Sequence, residues 1–382
     1  MYAATTGSTP FRFNLHCGDI GHSFMVGPPG SGKSTFLGFI IAQFFRYPRA
    51  QVFAFDKGYS LAVLTRACGG EFYDLGGETD GLSFYPLADL ADDSDLAWAN
   101  SWIEKLCKLG GLDMKPQHRN AVADAMKLMQ GSQRRTLTDF LATVQNKEVR
   151  SALEVYTLSG PLGRLLDAEK DGLRDGRMMV FEMDNLMKYG DGNSKATVAV
   201  LLYLFRRIQK KLDGRPTLIV LDEAWVYLRD WLKTLRKLNA VVVLATQNLS
   251  DIFNSGISDV VMEACPTKIL LANAEAANVQ SRRLYEAVGL NEREIQIVQG
   301  AIPKRQYYVV SPEGRRLISL GLGGVALAFV GVNSPDDRKK VEEVMRTHPQ
   351  TWQAEWLRQR GRADWADWWR EVEGVLERRI SA

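Results

Sequence analysis

At 382 residues the chain is long enough for two or three domains of about 150 residues each. Hydrophobic residues at 46% and charged residues at 24% give a globular balance, which excludes a disordered tail, a collagen-like fibre or a coiled coil as the main body. Lysine plus arginine (48) against aspartate plus glutamate (45) leaves only +3, so no global basic excess argues for nucleic acid; Cys17, Cys68, Cys107 and Cys265 form no CxxC or metal spacing, and a chain able to bury an ample core without disulfides suits a reducing compartment.

Met1 to Pro10 is small and polar, without the character of a signal peptide. Phe11–His16 alternates like a strand, and Ser23–Val26 is a short apolar run ending at Gly27. Phe36–Phe45 predicts an apolar helix stopped near Pro48. Val52–Phe55 reads as a strand, Leu61–Cys68 as a helix, and Glu71–Leu75 and Leu82–Leu87 as short strands. This alternation is that of a parallel sheet covered on both faces.

From about Leu90 the texture changes. Asp92-Asp93-Ser94 reads as a helix start, and apolar residues then recur at helical spacing: Trp98, Trp102, Ile103 and Leu106, then Val122, Met126 and Met129, then Phe140, Leu141 and Val144. Four or five short helices are expected. Met178–Met183 resumes the strand texture, followed by a helix from about Ser194 to Lys211. Thr217–Leu221 and Val241–Ala245 are apolar runs of buried-strand type. Thr267–Leu271, Gln306–Val310, Arg316–Leu320 and Val325–Val330 complete the expected strands, and everything after Pro335 reads as helix.

The longest uncharged apolar stretch, Leu317–Val332, has 16 residues and four glycines. A membrane span needs about 20, so the stretch predicts two buried strands around a turn at Gly321–Gly324, and the chain is read as soluble. The expected organisation is α/β: a core from 1–90 and 172–332, an all-helical insertion at 91–171, and C-terminal helices at 333–382.

Gly27-Pro28-Pro29-Gly30-Ser31-Gly32-Lys33-Ser34 fits GxxxxGK[ST] between a strand and a helix, the context of a phosphate-binding loop, with Thr35 continuing it. Glycines let backbone N–H groups surround phosphates without Cβ clashes, and the helix N-terminus adds partial positive charge. Lys33 supplies a point charge to the β- and γ-phosphates of a nucleoside triphosphate, and the Ser34 hydroxyl a ligand for Mg²⁺. The expected acidic partner stands after the apolar run Leu218–Leu221: Asp222 to hold Mg²⁺ and Glu223 to polarise the attacking water. A third strand ends in Thr246-Gln247. Gln247 is read either as a sensor touching γ-phosphate and water or as a simple helix cap. Arg236, just before that strand, is read either as an arginine finger or as a solvated helix-end residue. Lys57 is read as lying near the nucleotide or as a solvated turn residue. Scattered histidines (His16, His22, His118, His348) support no metal chemistry, and no Rossmann fingerprint is present.

Beyond these motifs, Pro10–His16 and Gly18–His22 running into the loop, Phe55-Asp56-Lys57-Gly58, Leu221–Trp225, Ala245–Asn248, Tyr308–Gly314 and Leu327–Gly331 resemble the large ATPase of type IV secretion and conjugation systems, the VirB/TrbE-type family of HerA/FtsK-like motors. The resemblance runs from about residue 9 to 332. It implies a RecA-like P-loop NTPase core with mainly parallel sheet and an all-helical insertion. It also implies ATP hydrolysis with Mg²⁺, and assembly into hexamers or smaller oligomers at the cytoplasmic face of a bacterial inner membrane. ATP turnover there would serve pilus biogenesis and substrate transfer alongside other secretion components. In related motors the arginine matching Arg236 acts across a subunit interface. Family members carry a large N-terminal domain before the motor, so the chain is read as the motor half. The competing reading is a DNA-translocating coupling-protein motor, against which stand the near-neutral charge and the lack of membrane spans; a nucleotide-gated scaffold is a third.

Five tryptophans fall in the last 31 residues. Trp365, Trp368, Trp369, Val372, Val375, Leu376 and Ile380 recur at three- and four-residue steps as one stripe, expected to dock on the core or on a neighbouring subunit.

Overall fold

The computed structural model describes residues 2–5, 7, 9–18, 21–77, 82–188, 195–223 and 235–380, with the side chains of 236 and 373–380 excepted. Its centre is strand β3 (Ser23–Val26), buried at every position. A strand covered on both faces needs an unbroken apolar run rather than alternation. The same holds for β4 (Gln51–Asp56), β6 (Met178–Glu182), β7 (Thr217–Asp222) and β8 (Ala240–Thr246). With β1 (Tyr2–Thr5), β2 (Pro10–Arg12), β5 (Glu71–Asp74), β9 (Thr267–Leu271), β10 (Gln306–Ser311) and β11 (Gly314–Ser319), they form one sheet in the order β2-β1-β11-β10-β9-β3-β8-β7-β4-β6-β5. Pairing is parallel from β9 to β6 and antiparallel from β9 outward through β10, β11, β1 and β2. The register Val26↔Thr246, Asp222↔Ala245, Phe55↔Leu221 and Asp56↔Glu182 brings the carboxyl ends of β3, β8, β7, β4 and β6 to one edge. Ligands of open α/β sheets bind at that edge.

Packing divides the chain into two units. The first comprises residues 1–72, 176–182 and 212–382. The second comprises 73–175 and 183–211, so it starts earlier than the expected insertion at 91 and takes in α8 (Asp184–Lys188) and α9 (Lys195–Lys210). The reason lies in the packing of α9: the indole of Trp102 donates to the Ala199 carbonyl at 3.2 Å, and Asp95 accepts from Arg206 and Lys210, both at 2.8 Å. The block contains α3 (Asp93–Leu109), α4 (Pro116–Gln130), α5 (Leu137–Thr143), α6 (Lys147–Leu153) and α7 (Gly163–Leu166). Asp92 caps α3, its carboxylate accepting from the Asp95 N–H at 2.7 Å.

Three expectations fail. Leu82–Leu87 forms no strand, and Phe11–His16 is a strand only to Arg12, while β1 arises in the small, polar opening segment. Val325–Val330 is helical. After α10 (Leu249–Asn254), α11 (Ser258–Ala264), α12 (Val279–Ala287) and α13 (Glu292–Gly300), α14 covers Gly324–Val330. A six-residue apolar run fits a buried helix as well as a strand. Here α14 lies against α1 (Lys33–Phe44) and α2 (Ala62–Ala67), and a Cβ on Gly38 of α1 would stand 3.2 Å from Val330.

The C-terminal helices, α15 (Pro335–Thr347), α16 (Trp352–Gln359) and α17 (Ala363–Ile380), belong to the first unit. Val341, Val344, Trp352, Trp356 and Leu357 join the same apolar core as β3 and α1. The Trp356 indole donates to the Ala328 carbonyl at 2.7 Å, and Arg338 lies over the Tyr59 ring at 4.7 Å. The stripe on α17 docks on the core in part: Ala366 is buried and Trp369 leans on Phe329, while Trp365 and Trp368 face solvent. Val375, Leu376 and Ile380 lie outside the residues whose side chains are described. Among the described residues no helix is long and apolar enough to cross a membrane.

Candidate functional site

The turn from β3 into α1 is built from glycines for steric reasons. Gly30 and Gly32 have φ of +80° and +101°, which L side chains avoid. A Cβ on Gly27 would fall 2.4 Å from that of Leu271 and 2.7 Å from Ser31 Oγ. The loop is tied from three directions. Gly27 N–H donates to the Thr246 carbonyl at 3.2 Å, Ser31 Oγ donates to the Pro28 carbonyl at 2.6 Å, and Lys304 N–H donates to the Ser31 carbonyl at 2.8 Å. Pro29 and Gly30 are exposed, while Lys33, Ser34 and Thr35 are half-buried at the helix start. Helix α1 begins with no side-chain cap and no acidic residue in its first turn. A helix start of that kind, behind a glycine-lined concavity, fits an anion.

Strand β7 delivers the opposing charge. Lys33 Nζ donates to Asp222 Oδ1 at 2.7 Å and to Glu223 Oε1 at 3.1 Å, across 189 and 190 residues of sequence. Asp222 is 4% exposed. Burial pushes its carboxyl up to about 6 despite the Lys33 ammonium, with the Asp56 and Glu223 charges adding to the rise. Lys33 in turn sits above the usual lysine range: its two carboxylate partners outweigh its own desolvation. Glu223 has φ of +64° and its N–H donates to the Ala245 carbonyl at 3.0 Å. Its Oε1 also accepts from the Gln247 N–H at 3.0 Å, and its Oε2 from the Thr246 hydroxyl at 3.2 Å. Gln247 therefore meets Glu223 through its backbone, a contact no side-chain reading anticipates.

Two further carboxylates line the same edge. Asp56 is fully buried, accepts from Ser60 Oγ at 2.7 Å and Leu61 N–H at 2.8 Å, and is raised by desolvation. Glu182 accepts from Gly58 N–H at 3.0 Å and from Tyr59 N–H. Together they hold the 57–61 turn, on which Lys57 is exposed.

The structure thus brings together Gly27, Pro28, Pro29, Gly30, Ser31, Gly32, Lys33, Ser34, Thr35, Asp222, Glu223 and Gln247. Arg236 opens a 3₁₀ turn at Arg236–Leu238, directly before β8; its side chain is outside the described residues, as are Ala224 and Trp225. Sequence reasoning names Thr246 without a role and does not mark Lys304 or Asp251. Lys304 meets the loop through a backbone N–H, and the Thr246 hydroxyl lies 3.2 Å from Glu223 and from Asp251; no spacing rule marks these contacts.

The donor set suits a triphosphate and a hard divalent cation. Lys33 is the point charge, Ser34 and Asp222 are oxygen donors, and Mg²⁺ takes oxygen ligands while keeping several waters.

Comparisons with known proteins agree with this chemistry. Residues 131–310 match the TraG P-loop domain family, a stretch that contains Asp222, Glu223 and Gln247 and starts after the phosphate loop. The chain is 52% identical over 376 residues to the "Conjugal transfer protein TrbE" of Rhizobium radiobacter, covering 94% of this chain and 46% of that protein. It is 50% identical over 374 residues to a probable conjugal transfer protein TrbE of Sinorhizobium fredii, covering 94% and 56%. The chain spans about half the length of the curated relatives it matches. Among solved structures, VirB4 of Thermoanaerobacter pseudethanolicus superposes with a TM-score of 0.69 at 17% identity, over 85% of this chain and 97% of that one. The plasmid coupling protein TrwB bound to a non-hydrolysable ATP analogue gives 0.55 at 14%, over 79% and 85%. At those identities the likeness is one of fold, and that fold is the RecA-like α/β core.

Proposed function

On the premise that this chain belongs to the VirB4/TrbE family of P-loop proteins, we propose that it is an ATP-hydrolysing motor serving type IV secretion and conjugative transfer. The observation that carries the reading is the Lys33 ammonium set between Asp222 and Glu223 at the mouth of a glycine-built loop. ATP is the substrate. The loop N–H groups and Lys33 bind its phosphates. Ser34 and Asp222 are the residues that would hold Mg²⁺, which when bound would supply neutralisation of charge developing on the phosphate oxygens. Lys33 exchanges its carboxylate partners for phosphate, and Glu223, released from the pair, orients and polarises the attacking water. Gln247 stands beside Glu223 and senses its position. Arg236 is assigned to the nucleotide of an adjacent subunit, which makes a homo-oligomer, on the family pattern a hexamer, the working form. The site of action is the cytoplasmic face of the bacterial inner membrane, with other secretion components as partners and a protein or DNA as cargo.

The test is phosphate release from ATP by the wild-type chain, by Lys33→Ala and by Glu223→Gln, with nucleotide affinity measured in parallel. Glu223→Gln should bind and fail to hydrolyse. Wild-type turnover by Glu223→Gln would overturn the assignment. Stimulation by DNA that falls steeply with salt would favour the DNA-pumping alternative.

A further inference from the structure

Thr246 ends β8 at 2% exposure, with its polar groups committed to three different elements. Its carbonyl accepts from the first glycine of the phosphate loop, Gly27, at 3.2 Å. Its hydroxyl lies 3.2 Å from Glu223 Oε2 and 3.2 Å from Asp251 Oδ2, the latter in the first turn of α10. A threonine hydroxyl carries one proton. Two carboxylates therefore compete for one donor, and equal distances slightly beyond the usual O–H···O range of about 2.5–3.0 Å leave neither with a full bond. Glu223 meanwhile has other donors, the Gln247 N–H and the Lys33 ammonium, both on its opposite oxygen.

We propose that Thr246 is a positioning residue that apportions its single hydroxyl proton between Glu223 and Asp251. While Glu223 is paired with Lys33, Thr246 steadies its second oxygen. When Glu223 moves to the attacking water, the whole hydroxyl bond passes to Asp251 and tightens the first turn of α10. The state of the site is thereby written onto the helix that follows β8. This rests on the reading of Glu223 as the group that polarises water.

The test is a double-mutant cycle on the full chain, with steady-state ATP turnover and affinity for a non-hydrolysable ATP analogue as readouts. Thr246→Val keeps the shape and deletes the donor. Its kcat should fall about tenfold, the scale of one hydrogen bond to a charged group, with analogue affinity within about twofold of wild type. Asp251→Ala leaves the hydroxyl fixed on Glu223 and should also lower kcat by severalfold, again without loss of affinity. In the double variant the two effects should not add, because without the hydroxyl Asp251 has nothing to compete for. Thr246→Ser should restore turnover. Additive losses, wild-type turnover in Thr246→Val, or a parallel loss of affinity and kcat would each overturn the proposal. If Thr246→Val does not fold, Asp251→Ala and Thr246→Ser still decide: normal kcat in the first or loss of kcat in the second sinks it. Glu223→Gln run alongside separates the two levels: its wild-type turnover would withdraw the role of Glu223 itself, whereas its inactivity with an additive cycle would withdraw only Thr246.

Discussion

Gly32→Ala is the sharpest probe of how the phosphate loop is held. At φ +101° an L side chain carries a conformational cost of about 1–2 kcal/mol. The new Cβ would also stand 2.9 Å from Lys304 Cα and 2.9 Å from the Tyr307 hydroxyl. The Lys304 backbone has little room to retreat. It is bonded to the Ser31 carbonyl at 2.8 Å and is itself at φ +63°. Overpacking of that kind costs about 1–3 kcal/mol, for a total of roughly 2–5 kcal/mol. Gly30→Ala is the control: φ is +80°, but nothing lies within 4 Å of its Cβ, so only the conformational part of about 1–2 kcal/mol applies. Urea unfolding of both variants, with unchanged m-values, gives the two free energies directly. Binding of a fluorescent nucleotide analogue should weaken at least about tenfold in Gly32→Ala, since displacing the loop by a few tenths of an ångström misaligns its N–H donors. Equal destabilisation of the two variants, or wild-type binding by Gly32→Ala, would refute the idea that Lys304 braces the loop.

Other outcomes follow from the same contacts. Lys33→Ala should abolish tight nucleotide binding in a direct titration and lower unfolding stability by about 1–3 kcal/mol, because Asp222 is left buried without its cation. Mixing Arg236→Ala with Lys33→Ala subunits should recover some of the turnover lost by each, and a mixture that stays inactive where oligomers form counts against action across an interface. Ending the chain after Pro349 removes Trp352, Trp356 and Leu357 from the core, and light scattering should then report self-association together with an altered ATPase rate. Glu294, held below its ordinary value of 4.5 against the cost of burial by Arg315, the Asn291 N–H and Tyr308, adds stability that is complete above that value and is lost as pH falls through its lowered one. Acid unfolding of Glu294→Gln should lack that component.

The phosphate loop and the Leu218–Glu223 segment were legible because their chemistry fixes residue type at each position: glycines where φ is positive, four apolar residues for a doubly covered strand, carboxylates at its end. The boundary of the helical unit was not, since α9 reads as one more helix of an alternating fold until Trp102, Asp95 and their partners on it are seen in space. Val325–Val330 misled because a short run of apolar residues carries no period that separates strand from helix. The roles of Thr246 and Lys304 were invisible for a different reason. Their importance resides in a hydroxyl and a backbone N–H whose partners lie 23 and 273 residues away.

The buried indole of Trp356 makes the C-terminal helices observable without any label. Its N–H is fixed on the Ala328 carbonyl at 1% exposure, whereas Trp365 and Trp368, in the next helix, are 45% and 50% exposed. Emission from this region is consequently split between a blue component shielded from collisional quenchers and a red one open to them. Lifting α16 off α14 would carry Trp356 from the first class to the second, so in a variant that keeps Trp356 as its single tryptophan iodide quenching follows the helix through a catalytic cycle.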